Sequence, residues 1–572
     1  MMNILETDVL IFGGGGAGCR AAIEAHDNGV EVIIAVKGKL GHTGCTLNVG
    51  TSAGVGRWAV KEDTPTSAMK DLLAHGGYLG NQEMVKVLVD ETPNRISELE
   101  SWGVDFERDE NGDIEVTHAA KHEYPRNVRF KPTYSSHHDY GYPPGIAMMD
   151  ALMSQIQERN IQVMNDVMLV DLIKINGEIV GAITLDCNNF EMIIIKAKST
   201  IIATGSFSQI FELTTVSTEE TGDGHAAAFR AGAELIDMEN TQFVATSTGY
   251  RPTSIFLNSK GETFLENYGI KGLSDVDKET LCYAIAKEIK EGRGTESNNI
   301  LIDMTGDWEK ENLPSSIEER IEKNLKERGS PYLSMTASKA FNPRTTVVES
   351  GPISHTTTGG IRTNEKCETS IPGLYVAGAA AGGVYGHARP EGYTSMITLV
   401  FGQRAGFFAS KYSKVNDHIN ICHRSLHDSL GNAMELIEKS GGIKPSDTKT
   451  EIKKIMQHHG WVIKDEITLN EGLRKIREIK EIQYYLRSHS TSKNNPVNGT
   501  EGIIAIEIPN MMLCAELMLV GAIKRKESRG AFFRDDYPKT DNKKWLKNII
   551  YKQINGEIDL SLSSIDLTYC KP

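Results

Sequence analysis

Asp8-Val-Leu-Ile-Phe-Gly-Gly-Gly-Gly-Ala-Gly18 runs a short apolar strand straight into a Gly13-x-Gly15-x-x-Gly18 turn. A helical stretch follows from Cys19 to about Asn28, then Gly29 and a second apolar strand, Val30 to Val36. Strand, glycine turn, helix and strand in this order make a βαβ dinucleotide-binding unit. Gly13 permits the tight turn, Gly15 lets a pyrophosphate approach the backbone, and Gly18 lets helix and strand pack closely. Gly16 and Ala17 complete the turn, and the pyrophosphate sits on the positive end of the helix.

A simple NAD site carries an acidic residue at the end of the second strand, for the ribose hydroxyls. Here that place reads Ala35-Val36-Lys37-Gly38, which has no carboxylate and leaves Lys37 as the candidate contact. Gly41-His42-Thr43-Gly44-Cys45-Thr46 and a small-residue stretch from Gly50 to Gly56 come next. Such a segment suits an isoalloxazine lying against backbone.

Composition sets outer bounds. With 572 residues the chain exceeds one hydrophobic core, so roughly two to four domains are expected. A net charge of −14 argues against nucleic acid as a partner. No apolar run in the sequence is read as reaching the ~20 residues that span a bilayer, so direct membrane insertion is not expected. The chain enters a strand at once, without the pattern of a signal peptide. Its eight cysteines are scattered and form no CxxC pair, so neither iron–sulfur nor structural zinc spacing is present and no metal ligands are assigned. These features together place the protein in the cytoplasm, as reduced thiols.

Several later segments carry a family resemblance. Ala203-Thr204-Gly205 follows an apolar run, and Thr221-Gly222-Asp223-Gly224 precedes Ala226–Gly232 and Asp237-Met238-Glu239. His355-x-x-x-Gly359-Gly360, Gly373-Leu-Tyr-Val-Ala-Gly378, Arg389, Phe401-Gly402-Gln-Arg-Ala-Gly406 and Glu527-Ser-Arg-Gly through Tyr537-Pro538 follow in order. The chain thereby resembles the flavoprotein subunits of fumarate reductase and succinate dehydrogenase, with L-aspartate oxidase and adenylylsulfate reductase as cousins. The resemblance implies FAD as cofactor and an α/β fold: a Rossmann-like FAD-binding domain, interrupted by an α+β capping domain and followed by a helical C-terminal domain. Expected boundaries are 1–238 and 350–412 for the FAD-binding parts, 239–349 for the cap, 413–545 for the helical domain and 546–572 for a tail of unread role. Within the cap, two strand-like runs flank the Ser259-Lys-Gly turn, and residues 315–328 read as a charged helix. Residues 488–502 read as a loop.

The resemblance also implies site residues. His42-Thr43 matches the place where relatives attach FAD covalently through a histidine; the alternative is a histidine packed beside a non-covalent flavin. Ala203, Thr204, Gly205, Gly378, Thr394 and Ser395 fall among the FAD contacts. Asp223 is either a contact to the FAD nucleotide, a helix N-cap, or both. Arg389 matches a carboxylate-clamping arginine, suited by its planar fork, and His355 a substrate histidine. Lys278, before the stretch 280–289, stands near the relatives' proton-shuttling arginine and is either a proton donor or a solvated first-turn residue.

Departures from the family pattern point to a reshaped pocket. The relatives' His-Pro-Thr is replaced in Gln242-Phe243-Val244-Ala245-Thr246, and a following Thr-Glu-Gly is missing. The relatives' His-Gly-Ala-Asn-Arg reads Tyr385-Gly386-His387-Ala388-Arg389, which makes Tyr385 and His387 candidate lining groups. The stretch from His122 through His137-His138 to Tyr140 is a further candidate lining. The expectation is an oxidoreductase passing hydride between flavin N5 and a small anionic organic acid, and a poor fumarate reductase. The alternatives are an L-aspartate oxidase-like enzyme and a flavin-holding electron-transfer subunit. Any iron–sulfur cluster would belong to a partner protein, which is also the route to a membrane.

Overall fold

The computed structural model describes residues 3–58, 60–131, 145–247, 250, 253–274, 276–305, 347–421, 430–431, 434–435, 443–488 and 499–572. The expected helix at 315–328, His137, His138 and Tyr140, and the centre of the 488–502 loop lie outside them.

The opening βαβ unit is the middle of a seven-stranded sheet. Its order is Gln162–Asn165, Val32–Val36, Asn3–Phe12, Met192–Ile202, Glu178–Asp186 and Val167–Ile175, with Leu374–Val376 also pairing along Met192–Ile202. Asn3–Phe12 runs parallel to both neighbours, Val9 lying opposite Val32 and Ser199. Val9 to Phe12 are at most 1% exposed. Burial on both faces explains why this strand reads as a continuous apolar run instead of an alternating one. The helix Gly16–Asp27 then crosses over to Val32–Val36.

Two glycines meet the tasks assigned to them. Gly13 has a φ of +114°, and a Cβ there would stand 2.1 Å from the carbonyl oxygen of Ala203. A Cβ on Gly18 would stand 1.9 Å from the carbonyl oxygen of Gly13. Only bare backbone lets strand end, helix and the 203–205 segment close on one another.

Residues 546–572, left without a role by the sequence, build part of the fold. Lys547–Ile554 and Glu557–Ser564 form an antiparallel hairpin about Asn555-Gly556, both at positive φ. Asn-Gly is a strong two-residue hairpin signal. The hairpin extends a five-stranded sheet through Leu235–Ile236.

Within the expected cap, Ile255–Leu257, Ile300–Asp303 and Val347–Ser350 form a three-stranded antiparallel sheet. The second expected strand beyond the Ser259-Lys-Gly turn does not form. Thr263 makes a single bridge to Leu257, and Leu265–Tyr268 is a 3-10 turn. The Asn258 carboxamide oxygen accepts the N–H groups of Lys260 and Glu262, closing the turn too tightly for a ladder.

Helix Tyr393–Val415 closes the second FAD-binding part, and the described residues of the expected helical stretch hold Pro445–His459, Glu466–Ser488 and Thr500–Lys524. The last corrects the reading of apolar runs, since it is long and apolar enough to cross a membrane. Most of its apolar window is buried in the protein, against the helices Pro445–His459, Glu466–Ser488 and Asp223–Arg230. It is placed as a core helix.

Candidate active site

A cavity of about 1110 Å³ runs between these parts, at the carboxyl ends of the parallel strands. It is larger than the ~300–1,000 Å³ of most small-ligand sites. One end is lined by Gly13 to Ala17, Lys37, Ala203, Thr204, Gly205, Asp223 and Gly378, and the other includes His355, Lys278, Arg389 and Thr394. The Thr46 hydroxyl accepts the Gly16 N–H at 3.0 Å, fixing the segment after Lys37 against the start of the first helix.

Charges at the first end are paired. Lys37 Nζ lies 2.8 Å from Asp223, 2.6 Å from Glu507 and 2.7 Å from the Thr221 hydroxyl. Burial works against its charge, but the two carboxylates more than offset this and raise its pKa. Asp223 is the first residue of helix Asp223–Arg230, whose cap is the left-handed Gly222. The N-cap reading of Asp223 is thereby corrected: its carboxylate faces Lys37 and accepts from Asn510 Nδ2 at 2.8 Å. Glu507 and Asn510 come from the C-terminal core helix, and no sequence motif pointed to them.

Two expected contacts stand behind this wall. Gly18 packs inside the helix, and the Ser395 hydroxyl is buried 2.8 Å from that of Ser52. His42 is exposed and does not line the cavity, whereas Thr43, Gly44, Cys45 and Thr46 do.

The second end is built on three side chains. Arg389, 7% exposed, donates from Nε to the Gln242 carboxamide oxygen at 3.2 Å and from Nη1 to the Thr394 hydroxyl. His355 projects from the strand Ile353–Thr357, its Nδ1 2.7 Å from the Thr215 hydroxyl. Burial, with the nearby Arg389 and Lys278, holds the imidazole well below its usual pKa. Lys278 opens helix Lys278–Glu288, whose Asp277 cap accepts the Thr280 N–H at 3.0 Å. It faces the cavity instead of bulk solvent, which corrects the solvated reading, and burial together with Arg389 lowers its pKa. Each of these groups feels another, so the three stand together.

Val244, Ala245 and Thr246 line the cavity, which puts the departure from the relatives' His-Pro-Thr on its wall. Tyr385 and His387 do not line it. Tyr385 packs beside Arg389 and Thr394. His387 is fully buried on the far side, with Nε2 3.4 Å from Glu239 and its ring against Phe532. Asp237, Glu239 and His387 come close enough to suggest a metal. The Arg525 guanidinium supplies the positive charge there, 2.7 Å from Glu239 and 3.3 Å from Asp237.

The first end fits FAD. The bare-backbone cradle of Gly13 to Gly16 opens on the N-terminal end of Gly16–Asp27, where backbone N–H groups and the helix dipole receive a pyrophosphate.

Comparison with known proteins agrees. The FAD binding domain family matches residues 8–395, and the fumarate reductase flavoprotein C-terminal family matches residues 449–572. The chain is 31% identical to one of the subunits of the fumarate reductase (CoM/CoB) of Methanothermobacter marburgensis, across 96% of this chain and 97% of that one. It is 25% identical to the fumarate reductase flavoprotein subunit of Haemophilus influenzae, across 100% and 96%. Among solved structures, Mycobacterium smegmatis Sdh1 superposes with a TM-score of 0.85 at 25% identity, covering 100% of this chain and 96% of that chain. The adenylylsulfate reductase of Archaeoglobus fulgidus shares the fold, with a TM-score of 0.77 at 20% identity over 99% and 96%. The chain belongs to the fumarate reductase/succinate dehydrogenase family of FAD-dependent flavoprotein oxidoreductases.

Proposed function

We propose that this enzyme passes hydride between flavin N5 and a carbon of a small anionic organic acid. The observation that carries the reading is the meeting of Arg389, Lys278 and His355 on the wall of the cavity that holds the glycine cradle. Bound FAD supplies the two-electron hydride chemistry. The Arg389 fork, steadied by Gln242 and Thr394, holds a carboxylate. His355, kept neutral and oriented by Thr215, contributes a hydrogen bond to the substrate. Lys278 moves a proton at the carbon next to the one that exchanges hydride. Thr43 to Thr46, on the cavity wall, would hold the flavin ring.

The FAD is held without a covalent bond, a reading supported by the exposure of His42. The apolar Val244-Ala245 in place of a histidine supports an acid other than fumarate as the preferred substrate. By this reading the described residues of 239–305 belong to a capping domain and those of 443–545 to the helical domain. The names of the relatives as subunits support an electron-transfer partner; an iron–sulfur partner, and through it a route to a membrane, is what the family resemblance implies.

The test is anaerobic mixing of the FAD-loaded protein, oxidised and photoreduced, with a panel of saturated and 2-unsaturated organic acids. One or more acids should bleach or restore the flavin spectrum. No response to any acid would leave the chain a flavin-holding electron carrier and end the substrate reading.

A further inference from the structure

Past Arg389 and Lys278 the wall of the cavity turns apolar. Val244 ends the strand Thr241–Val244, two residues after the Gln242 that accepts from Arg389 Nε. Ala245 follows it, and Leu273 and Val276 come from the segment that leads into Lys278. All four line the cavity. Ala245 and Leu273 belong to the buried core that holds Phe243, Phe256 and Leu281, and Val276 packs against it. Tyr250, also on the wall, sets its ring edge to face with Phe256 at 5.4 Å. Ser247, which lines the cavity too, has its hydroxyl on that of Ser350 at 3.0 Å.

Charge at this end suits one carboxylate and not two. Asp277, Glu279 and Glu391 line the cavity along with Arg389 and Lys278. Lys278 feels Glu391 and Glu279, and Tyr250 feels Glu391, so these acids stand close to both the cations and the apolar wall. Two histidines line the cavity as well, and each already faces an acceptor. His75 Nε2 is 3.5 Å from Glu279, and His118 Nε2 is 2.7 Å from the His122 carbonyl oxygen. With one carboxylate on Arg389, a second would meet apolar side chains and three like charges. Burying an unpaired charge there is costly, whereas a hydrocarbon arm gains from the same burial.

We propose that the substrate is a 2-enoic monocarboxylic acid carrying an apolar group, alkyl or aryl, on C3. The proposal rests on the reading of Arg389 as the carboxylate clamp and Lys278 as the proton donor. Arg389 takes the carboxylate, the double bond lies beside Lys278, and the C3 group lies on Val244, Ala245, Leu273 and Val276. In the reducing direction a hydride passes from the reduced flavin to C3 with its two electrons, and the Lys278 ammonium proton passes to C2. The π bond is lost, two C–H bonds form, and the enoate leaves as the saturated acid. Water returns the proton to Lys278.

Binding and turnover of the FAD-loaded enzyme test the substrate class separately. In calorimetric titrations of the oxidised enzyme, butyrate or 3-phenylpropionate should bind roughly tenfold or more tightly than succinate. The photoreduced enzyme should then be mixed anaerobically with crotonate, cinnamate and fumarate. Crotonate or cinnamate should reoxidise the flavin with a second-order rate constant on the order of 100-fold above that of fumarate. Val244→His, at a half-buried position, sets a polar donor on the wall. It should keep FAD, raise the fumarate rate constant roughly tenfold and lower that of crotonate. Succinate and fumarate level with or ahead of the monocarboxylates would overturn the proposal and leave the hydride reading standing. A FAD-bound Val244→His enzyme with the wild-type ranking would overturn the seat of the C3 group on this wall. Should that variant lose FAD, the wild-type ranking alone decides. Reoxidation by none of the three acids would bring down the reading of Arg389 and Lys278, and the substrate class with it.

Discussion

The two ends of the cavity are held by different kinds of force. At the nucleotide end the wall is backbone, and its one lysine is matched by Asp223, Glu507 and Thr221. At the substrate end the buried Arg389 donates to neutral groups, Gln242 and Thr394, and Lys278 stands near it on the cavity wall. Burial lowers the pKa of both. Paired charges fix a cofactor that stays through every turnover. Under-compensated cations are the form a site takes when an anion is to arrive and leave.

The sharpest way to break this contrast is at Gly13. Gly13→Val should abolish FAD binding outright, because its Cβ would enter the Ala203 carbonyl. The flavin content of the purified protein reads this directly. Lys278→Met should leave FAD in place and reduce kcat by a factor on the order of 10²–10⁴. In the unmodified enzyme, reduction of the acid should fail as pH rises through the Lys278 pKa, because the proton donor is then spent. Burial and Arg389 bring that limb below the ordinary lysine range, and the variant should lack it. The pH profile of kcat checks both statements.

Glu507→Gln tests the paired end more gently. Asp223 would still hold Lys37, so FAD should weaken by about 1 kcal/mol, roughly fivefold, in a fluorescence titration. The smallest effect concerns a buried histidine. His225, on the nucleotide-end helix, is lowered by burial to about 3 and packs on Phe207. The unfolded chain binds that proton near pH 6.5. Between there and about 3 the unfolded state holds more protons, so stability falls as pH drops. His225→Phe should keep FAD and flatten this acid limb by roughly a few degrees of Tm. His355, also lowered by burial but bonded to Thr215, should not tolerate the same change without loss of turnover.

Legibility in the sequence followed the same division. Gly13 to Gly18 were readable because turn chemistry and apolar runs are local. The Asn555-Gly556 hairpin was equally local and was missed, although Ile549 to Tyr551 are apolar and buried and Ile558, Leu560 and Leu562 alternate with polar residues. Thr46 on Gly16, Gln242 on Arg389 and Glu507 on Lys37 join residues far apart in the chain, and no spacing rule connects them. Resemblance placed Arg389, His355 and Lys278 on the wall but could not give side-chain direction. It therefore also nominated His387, which turns toward Glu239, and His42, which faces outward.

The separation of the two ends is tested most directly at Arg389. In the Arg389→Lys enzyme, FAD affinity and kcat/KM for the acid that best reoxidises the wild-type flavin should be measured on one preparation. FAD binding should be unchanged. The loss of the fork should cost about 2–5 kcal/mol of transition-state binding, roughly 30- to 5000-fold in kcat/KM. Unchanged turnover, or FAD affinity falling in step with turnover, would contradict the account.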